Sequence, residues 1–247
     1  MRNDSPLTKT DILNAASARV TDSNLDQLVQ GHFATLELHN DLDLIEGLNT
    51  AKNWLIDNRE KLNTRKYDPN IDALEVEHKL SEPHLRVIQD EDAHRFVAGQ
   101  DANQIKFGNV RFSDLTQTLA VTLEKLLKPR RVMRLFQSGR NWYPPNGYMG
   151  WHTNANVQGF RLYCNHTPVA QRSYFRYLDP FTSQIETSWD SAGWNFRCFR
   201  TDLEPLWHCV YSQTDRISFG YGLMFPIDTG EGVRTEALPE FLIKPPC

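Results

Sequence analysis

The feature that most restricts the fold of this chain is a series of short β-like runs that fills its second half. From Val132 onward, stretches rich in aromatic and β-branched residues alternate with turns made of Pro, Gly, Asn and Asp. The runs cover residues 132–137, 148–153, 158–164, 173–178, 194–200, 206–211 and 216–223. Short strands at such regular spacing predict an antiparallel sandwich or barrel.

The first half of the chain predicts helices that pack against this β-rich half. Apolar residues recur at helical spacing over about 42–57, which is typical of an amphipathic helix. Ser113 is a suitable N-cap for a second helix over about 114–128, and Pro129 would end it. The alternating run 32–38 predicts a strand. We therefore expect an α/β part followed by a β-barrel.

The domain organisation follows from polarity and from the absence of a linker-like stretch. Residues 1–30 are rich in Ser, Asp, Asn and Thr and predict a polar N-terminal tail. Residues 31–247 are expected to form a single domain. Within it we distinguish an α/β part at 31–130, a β core at 131–225 and a C-terminal tail at 226–247.

Composition and charge exclude several classes of partner. The formal net charge of −4 provides no broad basic field for nucleic acid or for an anionic membrane. No apolar signal sequence begins the chain, and no run of about 18 apolar residues occurs. The four cysteines are scattered without a Cys-x-x-Cys pair, as in proteins that keep reduced thiols. These features predict a cytoplasmic protein with neither a membrane nor a nucleic acid as its partner.

Two histidines and an Arg-x-Ser motif carry the chemistry of this sequence. His152 begins His-Thr-Asn, and His208 follows 56 positions later (208 − 152 = 56). Two such imidazoles can share a metal ion. Arg216 and Ser218 begin eight positions after His208 (216 − 208 = 8), and a guanidinium fork beside a hydroxyl is a good receptor for a carboxylate. Each piece alone is ordinary, so the hypothesis depends on their order and spacing together.

The two-residue period of a strand decides which of these side chains can face the barrel interior. Arg216, Ser218 and Gly220 share one face of their strand, and Arg161 lies on the opposite face from Leu162. An arginine inside a barrel is costly unless an anion pairs with it. The pattern therefore predicts an anionic partner for Arg216.

These motifs resemble the Fe(II)/2-oxoglutarate-dependent oxygenases over roughly residues 130–225. The segment from Tyr143-Pro144-Pro145-Asn146-Gly147-Tyr148 to His152-Thr153-Asn154 is similar to the corresponding segment of the prolyl hydroxylases. His152-Thr153-Asn154, with Arg161 nine positions after His152 (161 − 152 = 9), is similar to the aspartyl/asparaginyl β-hydroxylase branch. That branch has His-Thr-Gly and lacks the carboxylate ligand. The resemblance implies a mainly β fold with flanking helices around a double-stranded β-helix, a jelly-roll or cupin-like core.

The resemblance also implies a role for each site residue. His152 and His208 would bind Fe(II), and Asn154 stands where the family has its carboxylate ligand. Arg216 and Ser218 would bind the distal carboxylate of 2-oxoglutarate. Asn154 would bind the metal through its amide oxygen or hold a water in that position. Because a neutral amide replaces a carboxylate, we expect weaker Fe(II) binding than in the rest of the family.

Three further residues receive roles at the edge of this site. Tyr143 is expected to add a hydroxyl to the carboxylate receptor, Arg161 to meet the metal-chelating end of 2-oxoglutarate, and Trp151 to wall the substrate pocket. Three acidic residues outside any motif are alternative sources of a metal ligand: Asp179, Glu186 and Asp190.

The function implied is an oxygenase that uses Fe(II), 2-oxoglutarate and O2 to hydroxylate a peptide side chain or a small molecule. One alternative is a cupin-type metalloenzyme that does not use 2-oxoglutarate, which would have no need of the Arg216 and Ser218 pair. Another is a pseudoenzyme or binding module in which Asn154 marks a decayed metal site. Retention of both histidines and of Arg161 argues against that alternative. The sequence does not specify the substrate.

Overall fold

The computed structural model describes residues 19–20, 33–62, 67–91, 101–108, 110–127, 134–154, 160–201, 206–224, 227–228 and 233–234. The helices of this part are α1 (Leu42–Asp57), α2 (Arg59–Leu62), α3 (Ala73–Lys79), α4 (Glu82–Glu91) and α5 (Ser113–Leu127). None of them is long and apolar enough to cross a membrane. Of the predicted tails at 1–30 and 226–247, the structure describes only three two-residue strands, Arg19–Val20, Ile227–Asp228 and Val233–Arg234.

The strands of the described part are β1 (Arg19–Val20), β2 (Phe33–Leu36), β3 (Ala102–Asn103), β4 (Ile105–Lys106), β5 (Arg134–Tyr143), β6 (Gly147–His152), β7 (Phe160–Thr167), β8 (Ser173–Leu178), β9 (Ile185–Trp189), β10 (Gly193–Arg200), β11 (His208–Ser212), β12 (Arg216–Met224), β13 (Ile227–Asp228) and β14 (Val233–Arg234). A seven-stranded sheet has the order β1-β2-β10-β7-β12-β5-β4, and a five-stranded sheet has the order β3-β6-β11-β8-β9. Strands β13 and β14 pair with each other.

From β5 to β12 the chain passes back and forth between the two larger sheets. Strands β5, β7, β10 and β12 lie in the seven-stranded sheet, and β6, β8, β9 and β11 lie in the five-stranded sheet. Every pairing among these eight strands is antiparallel. Two facing antiparallel sheets wound in this way form a double-stranded β-helix, or jelly roll. The predicted fold class is confirmed.

Helices α1 and α5 cover the outer face of the seven-stranded sheet. Leu44 and Leu48 of α1 are fully buried in one apolar core with Leu119 of α5 and with Phe219 of β12. Each such side chain stabilises the fold by about 1.5–3 kcal/mol through burial. Asp41 caps α1 by accepting a hydrogen bond from the Leu44 amide, and its second carboxylate oxygen accepts one from Thr122 of α5. The cap therefore also joins the two helices.

A second apolar core lies on the outer face of the five-stranded sheet. Val76 of α3 and Leu85 of α4 are buried there against Trp151 of β6 and Tyr174 of β8. The sequence did not predict α3 and α4, because their apolar positions are few and lie between many charged residues. Strand β9 was missed for a similar reason, since Ile185–Trp189 is short, largely polar and contains no buried residue.

Candidate metal centre and carboxylate receptor

The two predicted metal ligands are neighbours in the five-stranded sheet. His152 is the last residue of β6 and His208 the first residue of β11, and the two are direct partners in the antiparallel register. Their ring centroids lie 4.1 Å apart. Both side chains are buried, with 3% and 0% exposure respectively. The register of one strand pair thus brings together two imidazoles that are far apart in sequence.

Hydrogen bonds to the backbone fix the tautomer of both rings. The Nδ1 atom of His152 lies 2.8 Å from the carbonyl oxygen of Gly150, and Nδ1 of His208 lies 2.8 Å from that of Leu206. A carbonyl only accepts, so Nδ1 carries the proton in each case and the lone pair of the neutral ring is on Nε2. This is the arrangement in which histidine binds a metal.

Burial keeps both imidazoles neutral. It lowers the pKa of His152 to about 4, an effect that hydrogen bonds to the backbone of Gly150 and His208 partly offset. Burial, and then the neighbouring His152, lower the pKa of His208 well below its ordinary value. Neutral imidazole is the form that binds metals, so neither ring needs to lose a proton at neutral pH.

Asn154 lies beside the histidine pair. Its amide Nδ2 is 3.2 Å from Nε2 of His208 and 3.1 Å from the hydroxyl of Tyr163. The side chain is therefore within reach of the nitrogen that would bind a metal. Among the described residues, no group of three or more His, Cys, Asp and Glu side chains is placed to hold a metal ion. The candidate ligands that lie together here are two imidazoles and one amide.

The three acidic residues considered as alternative ligands do not join it. Asp179 accepts hydrogen bonds from the backbone amides of Phe181 and Thr182, as the first residue of a turn. Glu186 is exposed on β9. Asp190 is buried, but its carboxylate is occupied by arginines. Those alternatives are wrong because each side chain is committed to a turn, to solvent or to an ion pair.

Asp190 is the anionic partner of Arg216. Arg216 is fully buried at the start of β12, and its Nε donates to Oδ2 of Asp190 at 2.8 Å. Arg197 of β10 donates to the other carboxylate oxygen, and Ser173 of β8 also donates to Oδ2. Burial alone would raise the pKa of Asp190, but the charges of Arg216 and Arg197 outweigh it and hold that pKa well below its ordinary range. The sequence did not find this group because its members come from different strands.

The ion pair leaves Arg216 with unused donors. Its Nη1 and Nη2 atoms are buried and have no hydrogen-bond partner among the described residues. The guanidinium carbon lies 5.5 Å from the centre of the Tyr143 ring, and Tyr143 is the register partner of Arg216 on β5. An unsatisfied buried donor costs about 1–3 kcal/mol, and more when it is charged. Such a cost is offset when a ligand or a water accepts from it.

A row of polar side chains continues across the same sheet. Ser218 pairs in register with Asn141 of β5 on one side and with Asn165 of β7 on the other, so the three side chains share the interior face. Both amide atoms of Asn165 and Oδ1 of Asn141 are also buried without a described partner. Burial raises the pKa of Tyr143 well above its ordinary value, so its hydroxyl stays protonated beside this row. The interior of the barrel is therefore able to bind a polar, anionic group.

Arg161 adds a third guanidinium group to this interior, beside those of Arg197 and Arg216. It is buried on β7 and contacts no carboxylate among the described residues. Its guanidinium lies 5.8 Å from the Phe136 ring centre, over Gly222 of β12. A Cβ on Gly222 would come within 2.6 Å of Arg161 Nη1 and closer still to the Phe136 ring, so a larger residue there would displace both side chains. The charge of Arg161 also contributes to the low pKa of His208, which places it near the histidine pair.

Trp151 does not line this site. Alternation along β6 turns it away from His152, and its indole Nε1 donates to the Ser81 carbonyl at 3.0 Å. It is packed with Val76 and Leu85 in the outer core beneath α3 and α4. The prediction that it walls the substrate pocket is wrong because a neighbour of an inward-facing residue in a strand must face outward.

Comparison with known proteins finds similarity at the level of structure. No protein-family model and no curated protein sequence matches the chain. A prolyl hydroxylase from Trichoplax adhaerens, in complex with a peptide of the hypoxia inducible factor oxygen degradation domain, is 10% identical, with 81% of this chain and 86% of that chain covered and a TM-score of 0.49. EctD from S. alaskensis, with 2-oxoglutarate and 5-hydroxyectoine, is 13% identical, with 90% and 78% covered and a TM-score of 0.41. A 2OG-Fe(II) oxygenase family oxidoreductase from Burkholderia pseudomallei is 13% identical, with 59% and 80% covered and a TM-score of 0.38. The similarity to these structures is one of fold.

Proposed function

We propose that this protein is an Fe(II)- and 2-oxoglutarate-dependent oxygenase that hydroxylates a peptide side chain or a small molecule. The observation that carries the proposal is Arg216, a fully buried arginine with two nitrogen donors that no described residue accepts from. The same barrel also holds two neutral, register-paired histidines. A metal-binding pair alone would suit many cupins. A carboxylate-bearing cosubstrate requires an arginine in the same interior with donors still available, and the two Nη atoms of Arg216 are such donors.

The charge of the interior supports a dicarboxylate. The described side chains place three guanidinium groups there, those of Arg161, Arg197 and Arg216, against the single carboxylate of Asp190. A dianion would offset this excess. Its distal carboxylate would meet the free Nη atoms of Arg216 and the hydroxyl of Ser218, and its other end would lie towards Arg161 and the histidines.

His152 and His208 would hold the iron through Nε2, with Asn154 or a water beside them. Bound iron with 2-oxoglutarate supplies the oxidising power for hydroxylation of an unactivated C–H bond. In the balanced reaction, O2 gives one oxygen atom to the substrate and one to succinate, and 2-oxoglutarate loses CO2. The chain's own residues bind and orient the cosubstrate and keep the imidazoles neutral.

The reduced state of the buried thiols supports the proposal of a cytoplasmic enzyme. Cys164, Cys198 and Cys209 are buried and free. Free thiols persist in reducing compartments, where Fe(II) also stays reduced.

The decisive experiment measures succinate. The protein is loaded with Fe(II) without oxygen, then given 2-oxoglutarate and air, and succinate is quantified by mass spectrometry. We expect slow turnover even without the true substrate, and none from His208→Ala. His166→Ala is the matched control because His166 contacts Lys52 and Trp194, outside the site, and it should behave as the parent protein.

The result also separates the alternatives. If no succinate forms across a broad panel of amino acids and peptides although 2-oxoglutarate binds, the site is a binding module or a pseudoenzyme. If the metal binds and 2-oxoglutarate does not, the protein is a cupin-type metalloprotein of another kind. Asn154 is the observation behind the first alternative, since its amide lies where a carboxylate would strengthen metal binding.

A further inference from the structure

Two buried arginines share one carboxylate at the base of the proposed receptor. Asp190 is 1% exposed, and both of its oxygens are used. Arg197 donates to Oδ1, while Arg216 Nε and the hydroxyl of Ser173 donate to Oδ2. The three charges sum to one net positive charge in a region closed to solvent.

The two arginines differ in how far their donors are used. Arg197 also donates from Nε to the Ser188 hydroxyl at 2.9 Å, and from Nη2 to the carbonyls of Ser188 and Trp189. Every nitrogen of its guanidinium therefore has a partner. Arg216 has a partner at Nε alone, and both of its Nη atoms have none among the described residues. Arg197 therefore has a structural role beside Asp190, whereas Arg216 still has two nitrogen donors that could bind a ligand.

The bond at Nε determines where those spare donors lie. A guanidinium is planar and its five N–H groups have fixed directions, so holding one nitrogen fixes the directions of the others. The ring of Tyr143 lies along the group at 5.5 Å and limits it further. With Nε held by Asp190, Nη1 and Nη2 remain in the buried interior where no described acceptor meets them.

We infer that Asp190 is a positioning residue for the carboxylate receptor. It does not contact the ligand. It holds Arg216 so that both Nη atoms are presented together, and with Arg197 it leaves the one positive charge that a single carboxylate neutralises. The assignment of 2-oxoglutarate as ligand rests on the proposed function, but the arrangement of Asp190 and Arg216 does not.

A double-mutant cycle tests this role. The ligands are 2-oxoglutarate with Mn(II), and glutarate without metal, because glutarate has both carboxylates and no keto group to chelate a metal. Calorimetric titration should show Asp190→Asn weakening both ligands about tenfold. Arg216→Met should weaken them more. If Asp190 acts through Arg216, the double variant should bind no more weakly than Arg216→Met alone. Ser188→Ala removes a hydrogen bond from Arg197 and none from Arg216, and should stay within about twofold of the parent.

Each outcome decides the inference. Additive losses in the double variant would mean that Asp190 supports the fold generally, and an unchanged affinity in Asp190→Asn would remove its role altogether. If Asp190→Asn does not fold, as judged by circular dichroism, Ser173→Ala replaces it, because that change removes one hydrogen bond to Asp190 Oδ2 and should weaken both ligands a few-fold. An unchanged Ser173→Ala would then contradict the inference.

The same data keep the two proposals apart. Glutarate binding that follows the cycle, without any succinate from 2-oxoglutarate, would disprove the oxygenase function and leave the role of Asp190 standing. If the parent binds neither ligand, there is no receptor to position and the inference fails with it.

Discussion

The histidine end and the arginine end of the barrel interior hold their polar groups by different means. At the histidine end, each imidazole donates to a carbonyl two residues earlier in the chain, so its orientation depends on short-range contacts. At the arginine end, Asp190 joins side chains from β8, β10 and β12 in one ionic group. The two imidazoles are neutral, whereas the group around Asp190 is charged. A metal needs neutral lone pairs, and a carboxylate needs fixed positive charge, so the difference follows the ligand expected at each end.

Removing a histidine should produce the largest effect and should affect only its own end. His152→Ala and His208→Ala are each expected to weaken Mn(II) binding by more than about 100-fold, since loss of even an outer partner of a ligand costs 10–100-fold. Anaerobic calorimetry measures the affinity, and His166→Ala serves as the control outside the site. Equal affinities in all three variants would show that the histidines serve only to pack the core.

Removing Arg216 should weaken ligand binding at the opposite, arginine end of the interior. Arg216→Ala is expected to weaken 2-oxoglutarate binding roughly 100-fold, because two charge-assisted hydrogen bonds are lost, and to leave Mn(II) affinity nearly unchanged. The thermal shift that 2-oxoglutarate gives in the presence of Mn(II) measures this loss. Arg172→Ala, at an exposed arginine, is the matched control. A thermal shift in Arg216→Ala equal to that of the parent would contradict the assignment of Arg216 as the carboxylate receptor.

As the pH falls, the histidine end should lose its contribution to the free energy of unfolding before the arginine end does. Burial lowers the pKa of His152 to about 4, against about 6.5 in the unfolded chain, so only the unfolded state takes up this proton between those pH values. The free energy of unfolding of the metal-free protein should therefore fall, by up to about 1.4 kcal/mol per pH unit for such a histidine. The pKa of Asp190 is held below its ordinary value in the folded protein. Its contribution to the free energy of unfolding is therefore lost only when the pH falls below the ordinary pKa range of an aspartate.

Urea unfolding at pH 7 and pH 5 measures this loss of stability. His152→Asn should lose less stability than the parent between the two pH values. A variant as sensitive to acid as the parent would contradict the assignment of the effect to His152.

The smallest change concerns the one residue at which the histidine end departs from the family pattern. Asn154→Asp adds an anionic oxygen beside His208 and should tighten Fe(II) binding several-fold. Asn154→Ser, which shortens the side chain without adding charge, is the control and should not tighten binding. If Asn154→Asp leaves the affinity unaltered, the side chain does not approach the metal and the two histidines hold it alone.

The sequence predicted most of what short-range patterns control. Alternation along β12 correctly placed Arg216 and Ser218 on one face, which is the interior face, and the motif spacing identified the His152 and His208 pair. It also predicted that Arg216 needs an anionic partner. The sequence could not identify that partner as Asp190, because Asp190 follows the unpredicted strand β9 and belongs to no motif.

The same limit explains the polar row of the interior. Asn141 and Asn165 are brought beside Ser218 by the pairing of β5 and β7 with β12, which no local pattern encodes. Trp151, in contrast, was mispredicted from information that the sequence did contain, since it follows directly from the inward orientation of its neighbour His152.

The pairing of His152 with His208 also bears on how the protein folds. The two residues are 56 positions apart (208 − 152 = 56) and meet only when β6 and β11 have aligned in register. Closing a loop of that length precedes any gain from the contact, so we expect the pair to form late in folding. A metal that binds only the aligned pair should then slow unfolding and leave the rate of folding almost unchanged.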